Sequence, residues 1–231
     1  RGLGSDYGVK GLAGGMDAEI NALGLMNFPS VDGDLRLKSP SITIDGTTIA
    51  SADLSTRFRI RSGRLEFTPV QVNTPRGNLR VAGALAVLRD PTGVIDPLTG
   101  RQTSEFLGAR SDNASIDFEV SGLDMGLADR FLNTGMELKG SLDAAGHLTG
   151  NLSDPVVAVD ASLGDGQAIG QEFKRVAFEG VLSRRNIEAQ RFEADAGEAG
   201  RVSGHGSYNL GADTFDFALS GEDVVFDRLA P

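Results

Sequence analysis

Apolar and polar residues alternate with a period of two along most of the chain, a spacing that puts successive side chains on opposite faces of extended strands and is too short for a helix. Ile116, Phe118 and Val120 alternate with Asp117, Glu119 and Ser121, and Phe215, Phe217 and Leu219 alternate with Asp216, Ala218 and Ser220. Leu54, Thr56, Phe58 and Ile60 fall on one side of their run, with Asp53, Ser55, Arg57, Arg59 and Arg61 on the other. The same reading makes Ile42, Ile44, Val70, Val72, Val157, Val159, Leu163, Val176, Phe178 and Phe192 inward positions. Each strand then has one apolar and one wet face, and an all-β chain is expected. Asp45-Gly46, Ser62-Gly63, Asp165-Gly166 and Arg185-Asn186 punctuate the runs as hairpin turns. Pro155 lacks a backbone donor and restricts Asp154 to extended geometry, so Asp154-Pro155 opens a strand or sits on an edge. One helix is predicted over residues 124–135, capped by Asp124, with Met125, Ala128, Phe131 and Leu132 on a stripe and Gly135 as its stop.

The pattern recurs. Residues 14–37 lie over residues 140–163, with Gly14/Gly140, Asp17/Asp143, Gly24/Gly150, Pro29/Pro155 and Leu37/Leu163 among the identities. Residues 64–83 resemble 186–204, ending on Gly83/Gly204, and residues 116–125 match 215–224 through Asp117/Asp216 and Phe118/Phe217. Two tandem units follow, 9–135 and 136–231, with the short helix between them. The first carries an insertion at about 86–114, rich in Asp/Pro turn signals and read as an exposed loop.

Composition agrees with strands and tight turns: 31 Gly, 12 Phe, two Tyr and no Trp in 231 residues. The formal charge of −10 argues against nucleic acid and against simple adsorption to anionic headgroups. Without Cys there is no disulfide frame and no thiolate metal site. No run of about 18 apolar residues is long enough to span a bilayer as a helix. The chain begins at Arg1, and the second unit breaks off at Pro231 where a third would start, so a piece of a longer chain is expected.

Candidate chemistry is sparse. His205 lies in Ser203-Gly204-His205-Gly206-Ser207, but on a strand rather than at the strained turn a serine nucleophile needs. His147 stands by itself, and two His without Cys make no familiar zinc set. Gly2–Gly8 lacks the strand and helix that frame a nucleotide loop, and is read as a frayed terminus. Asp90, Asp96 and Asp112 lack calcium-loop spacing and read as turn residues. Asn113-Ala114-Ser115 and Asn151-Leu152-Ser153 are formal glycosylation sequons. No enzyme, metal or cofactor is expected.

Gly140, Leu142, Ala144, Gly146, Leu148, Gly150, Asn151, Leu152, Asp154 and Pro155 spell G-x-L-x-A-x-G-x-L-x-G-N-L-x-D-P before an alternating strand. This run resembles the repeat of the TamB family, and residues 118–143 are similar to AsmA-type C-terminal regions. The first copy departs from the motif, with Met26-Asn27-Phe28-Pro29 in place of Leu152-Ser153-Asp154-Pro155. The resemblance implies a periplasmic protein held to the inner membrane by an N-terminal anchor outside this sequence. Its strands would curl into an elongated, U-shaped groove whose apolar interior, lined by the inward residues above, shields phospholipid acyl chains on their way to the outer membrane. A TamA-like outer-membrane barrel would be its partner. At about 0.8 kcal/mol per CH₂, a 16-carbon chain exposed to water costs on the order of 12 kcal/mol, which such a groove would lower. The same alternation also suits closed β-sandwich modules of an adhesin or carbohydrate-binding stalk, although the lack of Trp is unusual for a sugar binder.

Overall fold

A computed structural model describes residues 9–25, 28–44, 47–89, 105–106, 113–126, 139–168 and 170–225. Its strands are β1 (Val9–Leu25), β2 (Phe28–Ile44), β3 (Thr47–Ala50), β4 (Leu54–Arg61), β5 (Arg64–Thr74), β6 (Gly77–Ala86), β7 (Leu88–Arg89) and β8 (Glu105–Phe106). They continue with β9 (Ala114–Asp124), β10 (Lys139–Asn151), β11 (Asp154–Ala168), β12 (Gln171–Leu182), β13 (Asn186–Asp195), β14 (Arg201–Asn209) and β15 (Thr214–Glu222). One sheet takes them in the order β1-β2-β4-β5-β6-β9-β10-β11-β12-β13-β14-β15, with β3 also on β2, and β1 and β15 are the two ends of that path. β7 and β8 form a separate pair. The chain is all-β, as the alternation requires, and its sheet is an open meander.

Local chemistry explains the turns. Ser62 and Gly63 both have positive φ, +48° and +74°, the geometry of a two-residue hairpin between β4 and β5. At the β10–β11 turn the Ser153 N–H and hydroxyl both donate to Asn151 Oδ1, at 2.9 and 2.6 Å, and Asp154-Pro155 then opens β11 where a missing ladder donor matters least. After β14, Asn209 Oδ1 accepts the N–H groups of Gly211 and Ala212, and Tyr208 donates to Asp213 at 2.5 Å.

Several sequence expectations are corrected. Asp165-Gly166 is not a hairpin turn: it lies inside β11, where Asp165 has φ +44° and the pairing with β12 keeps step across it, from Gly164↔Arg175 to Gly166↔Phe173. A positive-φ residue serves a strand irregularity as well as a turn, so the dipeptide alone did not discriminate. The β12–β13 turn sits one residue earlier than Arg185-Asn186, at Arg184-Arg185, closed by Ser183 N–H donating to the Asn186 carbonyl. The insertion is not wholly loop, because Leu88 pairs with Phe106 and Arg89 with Glu105, while Ala86 and Ala114 belong to β6 and β9. In the predicted helix Met125 and Gly126 are helical, and the Gly126 N–H donates to Asp124 Oδ1 as a cap should. Residues 127–135, like Gly2–Gly8, Asp45-Gly46, Asp90, Asp96 and Asp112, lie outside the described residues.

Two compact units are distinguished: the described parts of residues 1–72, 80–117 and 148–155, and those of 73–79, 118–147 and 156–231. In the first, Val31, Gly33, Leu35 and Leu37 of β2 face Ile60, Phe58, Thr56 and Leu54 of β4, and Phe58 and Ile60 face Phe67 and Leu65 of β5. In the second, Val157, Val159, Ala161 and Leu163 of β11 face Leu182, Gly180, Phe178 and Val176 of β12. β13 breaks its own alternation at Gln190-Arg191, where Glu179 pairs with Arg191 but Gly180 with Ala189. That extra residue is a bulge, and it returns Phe192 and Ala194 to the side already held by Ile187 and Ala189.

Candidate functional site

Register carries one apolar face across five strands of the second unit. Leu163, Val176, Ala194, Val202 and Gly221 form one row, and Ala161, Phe178, Phe192, Gly204 and Leu219 the next. Val159, Gly180, Ala189, Gly206 and Phe217 follow, and then Val157, Leu182, Ile187, Tyr208 and Phe215. At about 4.8 Å between neighbours, five strands make a face roughly 19 Å across. In the first unit, Met16, Ala18, Ile20 and Ala22 of β1 extend the rows of β2 and β4 in the same way.

Side chains on this face are half-exposed rather than sealed. Leu54, Phe58, Ile60, Val70, Val72 and Ile116 are all half-buried, and so are Phe118, Val120, Val157, Val159, Leu163, Val176, Phe178 and Phe192. Phe215, Phe217 and Leu219, inward by pattern, are exposed at 74%, 42% and 64%, because β15 ends the sheet path with β14 as its neighbour. The side chains of Ile42 and Ile44 lie outside the described ones. Among the described residues the buried apolar side chains are small or peripheral: Val87, Ala114, Ala189, Ala194 and Ala199.

Glycines set the relief of the face, a feature that the hydropathy pattern did not reveal. A Cβ on Gly33 would lie 2.5 Å from Phe58 Cζ, one on Gly146 2.5 Å from Phe118 Cζ, and one on Gly206 2.5 Å from Phe217 Cδ1. Aromatic rings therefore lie over the bare backbone of neighbouring strands, which covers glycine peptide groups and recovers apolar contact in positions that lack a side chain. The available signal was Gly occupying inward positions of an alternating run, as Gly204 and Gly206 do in β14.

The opposite face is charged. Asp32 accepts from Arg59 at 2.8 Å and Asp34 from Arg57 at 3.1 Å, both directly across β2 and β4, and Lys38 meets Asp17 at 2.6 Å. The Arg59 hydrogen bond holds the Asp32 carboxyl below the usual carboxylate range, and the Lys38 hydrogen bond does the same for Asp17. In the second unit Arg201 meets Asp195, whose carboxyl is lowered chiefly by the Gly197 N–H and then by Arg201. Two hollows of about 640 and 450 Å³ open on this side. The first is walled by Arg175, Glu193, Asp195, Arg201 and Glu222, and the second by Glu188, His205, Ser207 and Asp216. Their charged walls do not suit an acyl chain. Among the described residues no group of three or more His, Cys, Asp or Glu is placed to hold a metal ion, and no helix is long and apolar enough to cross a membrane. No protein-family model, curated protein or solved structure matches the chain.

Proposed function

We propose that the apolar face binds phospholipid acyl chains, and that the chain is part of a lipid conduit of the TamB and AsmA kind. The observation that carries this reading is the half-exposure of Val159, Phe178 and Phe192 on a face that register makes continuous from β11 to β15. A sealed β-sandwich would bury such large side chains. Leaving them half-wet keeps apolar area ready for a ligand, at roughly 25 cal/mol per Å² of further burial. The face offers contact without a single binding pocket, which suits a flexible hydrocarbon chain that has to slide. In the full reading the protein works in the periplasm, tied to the inner membrane by an anchor beyond this sequence and to an outer-membrane TamA-like barrel, and supports outer-membrane biogenesis.

A photoreactive residue tests the face directly. Placed at Val120 or Val159 it should crosslink to phospholipid in membrane-exposed protein, while at Glu119 or Asp160, on the opposite side of the same strands, it should not. Equal labelling from both sides would overturn the proposal. Phe118→Glu should reduce crosslinking at Val120 while the protein still melts cooperatively, since a half-exposed carboxylate keeps contact with water. Unchanged labelling in that variant would remove Phe118 from the binding face.

A further inference from the structure

The apolar face of the second unit runs one row farther than strict alternation carries it. Asp165 takes a left-handed φ of +44°, and a Cβ on the next residue, Gly166, would lie 2.8 Å from Leu163 Cδ2 and 2.9 Å from Leu163 Cγ. Gly166 is therefore on Leu163's side of the sheet, three residues on instead of two. Its partner across the ladder is Phe173, and facing residues of an antiparallel pair share a side. β12 shows the same step: Phe173 and Val176 are half-buried, with Lys174 and Arg175 exposed between them. A fifth row, Gly166–Phe173, thus lies beyond Leu163–Val176.

That row opens into a hollow of about 680 Å³ at one end of β10 to β13, none of which is an end strand of the sheet. Gly166, Phe173, Ala196 and the buried Ala199 supply its apolar lining. One wall is the short 3₁₀ segment Gly197–Ala199, held by the Gly197 N–H donating to Asp195 Oδ1 at 2.8 Å and the Gly200 N–H donating to the Gly197 carbonyl at 3.2 Å. Lys174 lies against that segment, since a Cβ on Gly197 would be 3.0 Å from Lys174 Cε. Lys139, at the start of β10, donates to Gln167 Oε1 at 2.6 Å on the other side of the hollow.

The charges around the hollow are mixed. Lys139 and Lys174 bring two positive charges, and Asp165, Glu172 and Glu198 bring three negative ones, a balance of −1. A ligand with only an anionic group meets net repulsion there, whereas one carrying both a phosphate and an amine can set each against an opposite charge. The apolar lining leads from these charges onto Leu163, Val176 and the rows behind them. From Leu163 back to Val157 the strand runs about 20 Å, longer than the ~15 Å that an acyl chain spans in half of a bilayer core.

We propose that the hollow seats the headgroup of a zwitterionic, amine-bearing phospholipid, its phosphate against Lys139 and Lys174 and its amine against Glu172, with its acyl chains along the apolar rows from Leu163 toward Val157. The inference rests on the reading of that face as an acyl-chain surface, and adds to it a place and a chemical class for the headgroup. It also orients the lipid, with its chain ends toward the β10–β11 turn.

Competition between headgroups tests it. The protein is incubated at low salt with vesicles of equal parts phosphatidylethanolamine and phosphatidylglycerol with identical acyl chains, the vesicles are removed by flotation, and bound lipid is identified by native mass spectrometry. Phosphatidylethanolamine should be favoured about two- to fivefold, the range that exposed ion pairs supply. Glu172→Gln should abolish that preference without lowering total lipid, and Lys139→Gln with Lys174→Gln should lower both lipids. All three side chains are exposed, so melting of these variants should match the parent. Lipid bound without preference, or a preference that survives Glu172→Gln, would overturn the headgroup site and leave the acyl face standing. No lipid at all would overturn both. Glycerophosphoethanolamine, the same headgroup without chains, should not displace the lipid at equal concentration; displacement would assign the hollow to a soluble phosphate ester and overturn the inference.

Discussion

At the residue scale, the face is built from aromatic rings laid over glycine. Gly146 has no room for a side chain: a Cβ would lie 2.5 Å from both the Ala158 carbonyl oxygen and Phe118 Cζ, and the backbone oxygen cannot move aside cheaply. Gly146→Ala should cost roughly 1–3 kcal/mol, as overpacking of a fitted site does. In a chain of this size that lowers Tm by about 2–4 °C per kcal/mol. Gly164 has nothing within 4 Å and an ordinary φ, so Gly164→Ala should stay within about 0.5 kcal/mol of the parent. Thermal melts of the two variants side by side check the contrast, and equal effects would contradict the packing account. Alternation put Phe58, Phe118, Phe178 and Phe192 inward, and all four are half-buried. It did not name their glycine partners, because glycine contributes no hydropathy signal and its neighbour across the sheet is set by register. Phe215, Phe217 and Leu219 show the reverse limit: their pattern marks a face, while burial depends on a neighbouring strand.

At the scale of elements, charge pairs join β1, β2 and β4 on the wet face. Asp17 and Asp32 have lowered carboxyl pKa values in the folded protein. A lowered carboxylate stabilises the fold fully above its unfolded value, about 3.9, and loses that contribution as pH falls through the lower folded value. The pairs should therefore be intact at neutral pH and fail only in the acid range below about 3.9. These groups are exposed, so their effect should be small and should shrink with salt. A double-mutant cycle with Asp32→Asn and Arg59→Gln should show favourable coupling in urea melts at low salt that fades near 1 M. Coupling insensitive to both salt and acid would contradict the ion-pair reading. The β7–β8 pair yields a second expectation. Leu88↔Phe106 and Arg89↔Glu105 bring the two strands together, so replacing residues 90–104 with Asn-Gly should close a short hairpin and keep the parent far-UV circular dichroism and a cooperative melt. A variant that unfolds would show that the replaced stretch contributes structure. Strand existence was legible here from period and turn residues. Asp165-Gly166 was misread because a positive-φ residue looks the same in sequence whether it bends a strand or reverses it.

For the molecule as a whole, an all-β chain was legible from the alternation. The order of strands and the rows of the face were not, since both arise from hydrogen-bond pairing between segments, including the Gln190-Arg191 bulge that keeps β13 in step. Two properties bear on function in each unit taken by itself: an apolar face with half-exposed large side chains, and an opposite face that carries ion pairs. The first supplies affinity for hydrocarbon and the second keeps the sheet wet on its other side. The most direct test is native mass spectrometry of detergent-free protein after incubation with phospholipid vesicles and removal of the vesicles by flotation. The account predicts protein ions carrying whole phospholipid molecules, and loss of those adducts in Phe118→Glu with Phe178→Glu. Protein that emerges free of lipid after the same exposure would contradict it.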